Sequence, residues 1–122
     1  MTKPHPIRVS EYLEHIYDAI DRASAYVHDL PNAEAFENAF MARDAVVRNI
    51  EIVGEASTKI LKADPRFVSL HPEIPWQQMS AMRNRMIHDY FEVDYEIVWR
   101  TVKEDLPRLG ALIKAIVQSL PQ

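Results

Sequence analysis

Two glycines in 122 residues leave this chain little with which to build hairpin turns. Such turns rely on residues that accept positive φ, glycine above all, so an all-β fold is disfavoured and long helices are the natural alternative. The same scarcity argues against the glycine-rich loops that cradle phosphates in many nucleotide-binding proteins. Hydrophobic residues make up 48% of the chain and charged residues 26%, a balance that supports a packed core. At this length one core is expected, and residues 1–122 are read as a single domain.

Apolar residues recur at helical spacing along the chain. Ile16, Ile20, Ala23 and Val27 form one stripe, predicting a helix from Ser10 to about His28 that breaks at Leu30-Pro31-Asn32. Val46, Ile50, Val53, Ser57 and Ile60 form a second, on a helix expected to start near Asn38 as its cap and to run to about Lys62. Gly54 inside it reads as a close crossing of two helices. Asp64-Pro65 ends that helix, and the stretch through His71-Pro72-Glu73-Ile74-Pro75 is expected to be an irregular connector. Pro75 suits the first turn of a third helix, whose buried side is Trp76, Met79, Met82, Met86 and Ile87, ending near His88. A fourth helix is predicted from about Asp94 to Leu120, with Val98, Val102, Leu109, Leu112 or Ile113, and Ile116 inward, and Pro107 kinking or splitting it. The expected fold is all-α, an antiparallel four-helix bundle.

The chain has no cysteine, which excludes disulfides, zinc–thiolate sites and thiol nucleophiles and permits a reducing compartment. Met1 to Pro6 is polar and broken by proline, so no signal peptide is expected; with no apolar run near the ~20 residues of a membrane span, the cytoplasm is the expected location. His5, His15, His28 and His71 lack metal-ligand spacing, and neither a metal nor a cofactor is expected. Glu51 with Glu55, and Glu104 with Asp105, read as solvated helix faces or as partners for Arg48 and Lys59. A formal charge of −4 means that any nucleic acid must be met by a local cluster of cations, not by the field of the whole protein.

Such a cluster stands at the end of the third helix: Met82-Arg83-Asn84-Arg85-Met86-Ile87-His88-Asp89-Tyr90. On a helix Asn84 and His88 share a face, and Arg83 lies about 140° round from His88, so its long side chain must reach round or the last turn must open. An imidazole beside guanidinium groups suits metal-free RNA cleavage. Imidazole, with a usual pKa of ~6.5, exchanges protons with ribose oxygens while guanidinium holds the phosphate. By pattern alone, the plainer readings are solvated arginines and a histidine capping helix-end carbonyls.

Arginine, four residues, histidine, one residue, tyrosine is similar to the signature of the HEPN superfamily, in particular the HepT-like ribonuclease toxins of bacterial toxin–antitoxin pairs. The likeness extends in order through Arg48-Asn49-Ile50-Glu51-Ile52-Val53-Gly54-Glu55-Ala56, His71 to Trp76, Phe91 to Trp99, and Val102 to Pro107. The resemblance implies a metal-independent endoribonuclease that cleaves by attack of the 2′-hydroxyl, with Arg83, Asn84 and His88 as catalytic residues. It implies a homodimer in which two such motifs share a cleft, with transfer RNA or messenger RNA as candidate substrates. It also implies a partner, an MntA-like nucleotidyltransferase antitoxin that silences the toxin by adenylylating Tyr90 (AMPylation). An added phosphodiester charge there would repel RNA and occupy Arg83. Asp89 departs from the pattern, which commonly has a small residue at that position; its charge would raise the His88 pKa or weaken RNA approach. Two other classes compete: a non-catalytic HEPN module that binds a nucleotidyltransferase or a nucleotide, and a general four-helix adaptor, which leaves the polar cluster unexplained.

Overall fold

The computed structural model describes residues 8–86 and 92–120, and all of its extended elements are helical. The first helix, α1 (Val9–Val27), buries the predicted stripe of Ile16, Ile20, Ala23 and Val27, and Leu13 and Ala19 beside it. It packs on α3 (Phe40–Ala63), whose inward residues include Val46, Ile50, Val53, Ser57 and Ile60. Ser57 is tolerated there because its hydroxyl donates to the Val53 carbonyl at 2.7 Å, satisfying the buried polar group.

Two short helices lie where sequence reading expects none. Asn32, not Asn38, caps the helix after the break: its Oδ1 accepts the Ala35 amide at 2.9 Å and opens α2 (Ala33–Asn38). Asn38 is instead the last residue of that helix, and its Nδ2 donates to the Glu34 carbonyl at 3.0 Å. At Ala39 the backbone leaves helical angles (φ −87°, ψ 75°) before α3 begins. What holds α2 in place is Phe36, fully buried with its ring 5.6 Å from Trp99 and 6.5 Å from Tyr95. Likewise Asp64-Pro65 starts a helix as well as ending one. The Asp64 carboxylate accepts the Phe67 amide at 3.0 Å, and Pro65 needs no partner at the first helical position of α4 (Pro65–Leu70).

The expected third helix is two helices, α5 (Trp76–Ser80) and α6 (Met82–Met86), separated by Ala81 at φ −91°, ψ 1°. Trp76, Met79, Met82 and Met86 are buried as predicted, while Ile87 and His88 lie outside the described residues. After them, Asp94 caps α7 (Tyr95–Arg100) by accepting the Glu96 and Ile97 amides, each at 3.1 Å. A π-helical turn, Thr101–Asp105, leads directly into α8 (Leu106–Ser119), and Pro107 lies in the first turn of α8. The expected kink or split thus takes the form of a π turn. Residues 100, 101, 105 and 106 all keep right-handed helical angles, and the wider turn gives the proline ring room against the preceding carbonyls. The core joins α1 to α3 and α8, and α3 also to α5 and α6, while α4 only packs the partly buried Phe67 and Val68 against it. No helix among the described residues is long and apolar enough to cross a membrane.

Gly54 faces the end of α5 from α3. A Cβ at this position would stand 3.4 Å from the Met79 carbonyl oxygen and 3.5 Å from that of Ser80. A methyl group fits at that distance and a branched chain does not. Gly54→Ala is therefore expected to raise unfolding free energy by up to about 1 kcal/mol through helix propensity. Gly54→Leu is expected to lower it by about 1–3 kcal/mol. Urea denaturation followed by circular dichroism distinguishes the two.

Candidate functional site

Helix α6 is one and a half turns long, and Met82 and Met86, four apart, both face the core. Arg83, Asn84 and Arg85 between them are consequently left exposed. Two residues apart on a helix means nearly opposite directions, and the two arginines face different neighbours. Arg83 and Asn84 line an open cleft of about 480 Å³ against α3, where Glu51, Glu55, Thr58 and Lys59 form the opposite wall. Arg85 lines a separate cleft of about 460 Å³ against α8, with Asp105 and Arg108. Arg100 lies near Arg85, in a smaller recess beside the π turn, while Lys103 stands over the Trp99 ring at 5.3 Å.

Arg83 is held from across its cleft. Its Nε donates to Oε2 of Glu51 at 3.3 Å, in an ion pair between residues 32 apart in sequence. Glu51 is thus the residue that sequence reading placed wrongly, as a solvated acid or a partner for Arg48; local spacing gives no sign of a partner so far along the chain. At the near end of the same cleft, the hydroxyls of Thr58 and Ser80 are hydrogen bonded to each other, and Thr58 also donates to the Gly54 carbonyl at 2.9 Å. This polar clasp joins α3 to the end of α5, just before the chain turns into α6.

His88, Asp89 and Tyr90 lie outside the described residues, so of the expected site residues the structure brings together Arg83 and Asn84. The described residues on either side of that segment are tied: the Asp94 amide donates to the Met86 carbonyl at 2.7 Å. Among the other histidines, His15 and His28 are exposed, and His71 is partly covered beside Glu73 and the Phe67 ring. Among the described residues, no three metal-ligating side chains of the His, Cys, Asp or Glu type are grouped to hold an ion.

Residues 16–116 match the family described as Ribonuclease HepT-like. The chain belongs to the HepT-like ribonuclease family. It is similar to the "Probable ribonuclease HepT" of Thermococcus cleftensis, at 42% identity over 81% of this chain and 86% of that one. It is also similar to a "Putative RNase" of Caldanaerobacter subterraneus subsp. tengcongensis, at 33% identity over 97% of both chains. A third relative, the "Gamma-glutamylcyclotransferase and putative RNase" of Methanocaldococcus jannaschii, is 37% identical over 92% of this chain, which spans 49% of that longer protein. No solved structure matches the chain. The HepT-like match includes Arg83, Asn84, His88 and Tyr90 within its span.

The Arg83–Glu51 pair adds little to stability. Arg83's side chain is 59% exposed and that of Glu51 is 29% exposed, so solvent screens the attraction. Glu51→Ala is expected to change unfolding free energy by less than about 1 kcal/mol in chemical denaturation.

Proposed function

We propose that this HepT-like chain is a metal-independent endoribonuclease toxin that works as a homodimer, with Arg83, Asn84 and His88 at the reacting phosphodiester. The observation that carries the reading is the exposed Arg83 on the wall of a cleft, its guanidinium held by Glu51, in a chain of a ribonuclease family. The helices are read as a four-helix bundle of one domain, residues 1–122: α1, α3, α5 with α6, and α7 with α8. Two copies of this domain pair so that their motifs share a cleft.

The chemistry follows from the side chains. One His88 accepts the proton of a ribose 2′-hydroxyl as its oxygen attacks the adjacent phosphorus. The new 2′-oxygen–phosphorus bond forms while the bond from phosphorus to the 5′-oxygen breaks, and His88 of the other subunit gives that oxygen a proton. Arg83 stabilises the charge that builds on the non-bridging oxygens, and Asn84 adds neutral donors beside it. The products are a 2′,3′-cyclic phosphate and a 5′-hydroxyl, and each histidine finishes in the other's starting protonation state. Water then opens the cyclic ester or a further proton exchange resets the pair.

A nucleotidyltransferase antitoxin of the MntA type is the proposed partner, silencing the site by adenylylation of Tyr90. The modification joins a tyrosine oxygen to the α-phosphorus of ATP and releases pyrophosphate. Its added negative charge and bulk, two residues from His88, would block RNA.

Incubation with cellular RNA in excess chelator tests the reading. The wild type is expected to cleave, and His88→Ala and Arg83→Ala are each expected to lose at least about 100-fold in rate, as the removal of a general acid–base or a charge-stabilising group does. Equal cleavage by all three, or none by any, would favour a non-catalytic module that binds a nucleotidyltransferase or a nucleotide.

A further inference from the structure

We infer that Glu51 is a positioning residue of the ribonuclease site: it orients the Arg83 guanidinium so that the edge bearing its two terminal nitrogens is presented to the scissile phosphate. The inference rests on the reading that Arg83 acts on RNA, and it adds a residue from α3 to a site otherwise carried by α6 and the segment after it.

Three observations carry it. The contact to Glu51 uses Nε, and a guanidinium held there still has both terminal nitrogens for a bidentate grip on a phosphate. Next, an exposed arginine has about 2 kcal/mol of rotamer entropy to lose when it grips a ligand, and a tether that restricts it beforehand removes part of that cost. Last, Glu51 is placed by a rigid element. Its neighbours Ile50 and Val53 on α3 are fully buried, so the carboxylate sits on a fixed backbone. A pair this exposed is a poor stabiliser of the fold, so the inferred role is orientation and not stability.

The carboxylate also answers a question of charge. With Glu51, Glu55 and Lys59 on the α3 wall and Arg83 on the other, the formal charges of the cleft cancel. Phosphate attraction in this cleft is therefore local and directional, and geometry at Arg83 matters more than bulk field. Losing Glu51 removes a repulsive charge but frees the guanidinium to wander.

Three full-length variants test this in the chelator assay with a defined RNA, alongside Arg83→Ala and with melting temperature measured for each. Glu51→Ala is expected to lower kcat by about 2- to 5-fold with KM nearly unchanged, the most that losing a tether this exposed can cost. Glu51→Gln, whose carbonyl oxygen still accepts the Nε–H, is expected to recover most of that loss. Glu51→Asp keeps the charge but is one methylene shorter, and is expected to fall with Glu51→Ala. Added to Arg83→Ala, the Glu51→Ala change is expected to cause no further loss. Wild-type or higher kcat in Glu51→Ala, with Arg83→Ala inactive, would overturn the positioning role and leave the ribonuclease reading intact. A retained rate in Glu51→Asp with a lost one in Glu51→Gln would overturn it too, since charge and not reach would then be what matters. Full activity in Arg83→Ala would sink the ribonuclease reading itself and this inference with it.

Discussion

The approach of α5 to α3 over Gly54 is the constraint on which the rest of the site depends. With no side chain at that position, two backbone carbonyls from the end of α5 come within ordinary contact distance of where a Cβ would be. The hydroxyls of Thr58 and Ser80 close the same crossing from the side. Because α6 follows after a single residue, the depth of this crossing sets how far Arg83 stands from α3. The Glu51–Arg83 bond lies one turn of α3 from that crossing. Position 54, which in sequence looks like a local defect in a helix, is in the fold a place where only a small residue fits between α3 and α5.

Much of this architecture was legible in the sequence. The stripes of α1 and α3 were long enough for the helical period to declare itself, and every residue named for them is buried. The two helices that were missed have six residues each, less than two turns, too short to display a period. Their caps were also ambiguous. Asn32 and Asn38 are equally good cap residues, and only the burial of Phe36 against Trp99 and Tyr95 decides between them. Asp64-Pro65 carries a stop signal for the preceding helix and a start signal for the next, and the sequence alone does not say that both apply. Pro107 announced a disturbance correctly, but whether a proline produces a kink, a break or a π turn depends on how the neighbouring residues pack.

The site was legible to a different degree. Arg83 and Asn84 are named by the family pattern; by spacing alone they read as a solvated helix face. Glu51 did not stand out, because its partner lies 32 residues along the chain and on another helix. Local spacing rules pair a helical acid with bases three or four positions away, and they offered Arg48 instead. Tertiary contacts of this kind are visible only once two helices are placed side by side. They matter to the proposed site because the formal charges of the cleft cancel, which leaves the direction of the Arg83 guanidinium as its proposed determinant.

The proposed reading gives the cleft a chemistry carried by side chains, with the ribose of the substrate supplying its own nucleophile. The end groups of the RNA fragments test that most directly. After cleavage of a defined oligonucleotide in excess chelator, mass spectrometry is expected to find a 2′,3′-cyclic phosphate, or the 2′- or 3′-phosphate that its hydrolysis leaves, on one fragment and a 5′-hydroxyl on the other. Fragments ending instead in a 3′-hydroxyl and a 5′-phosphate would mean that water attacked the phosphorus, and would contradict the account.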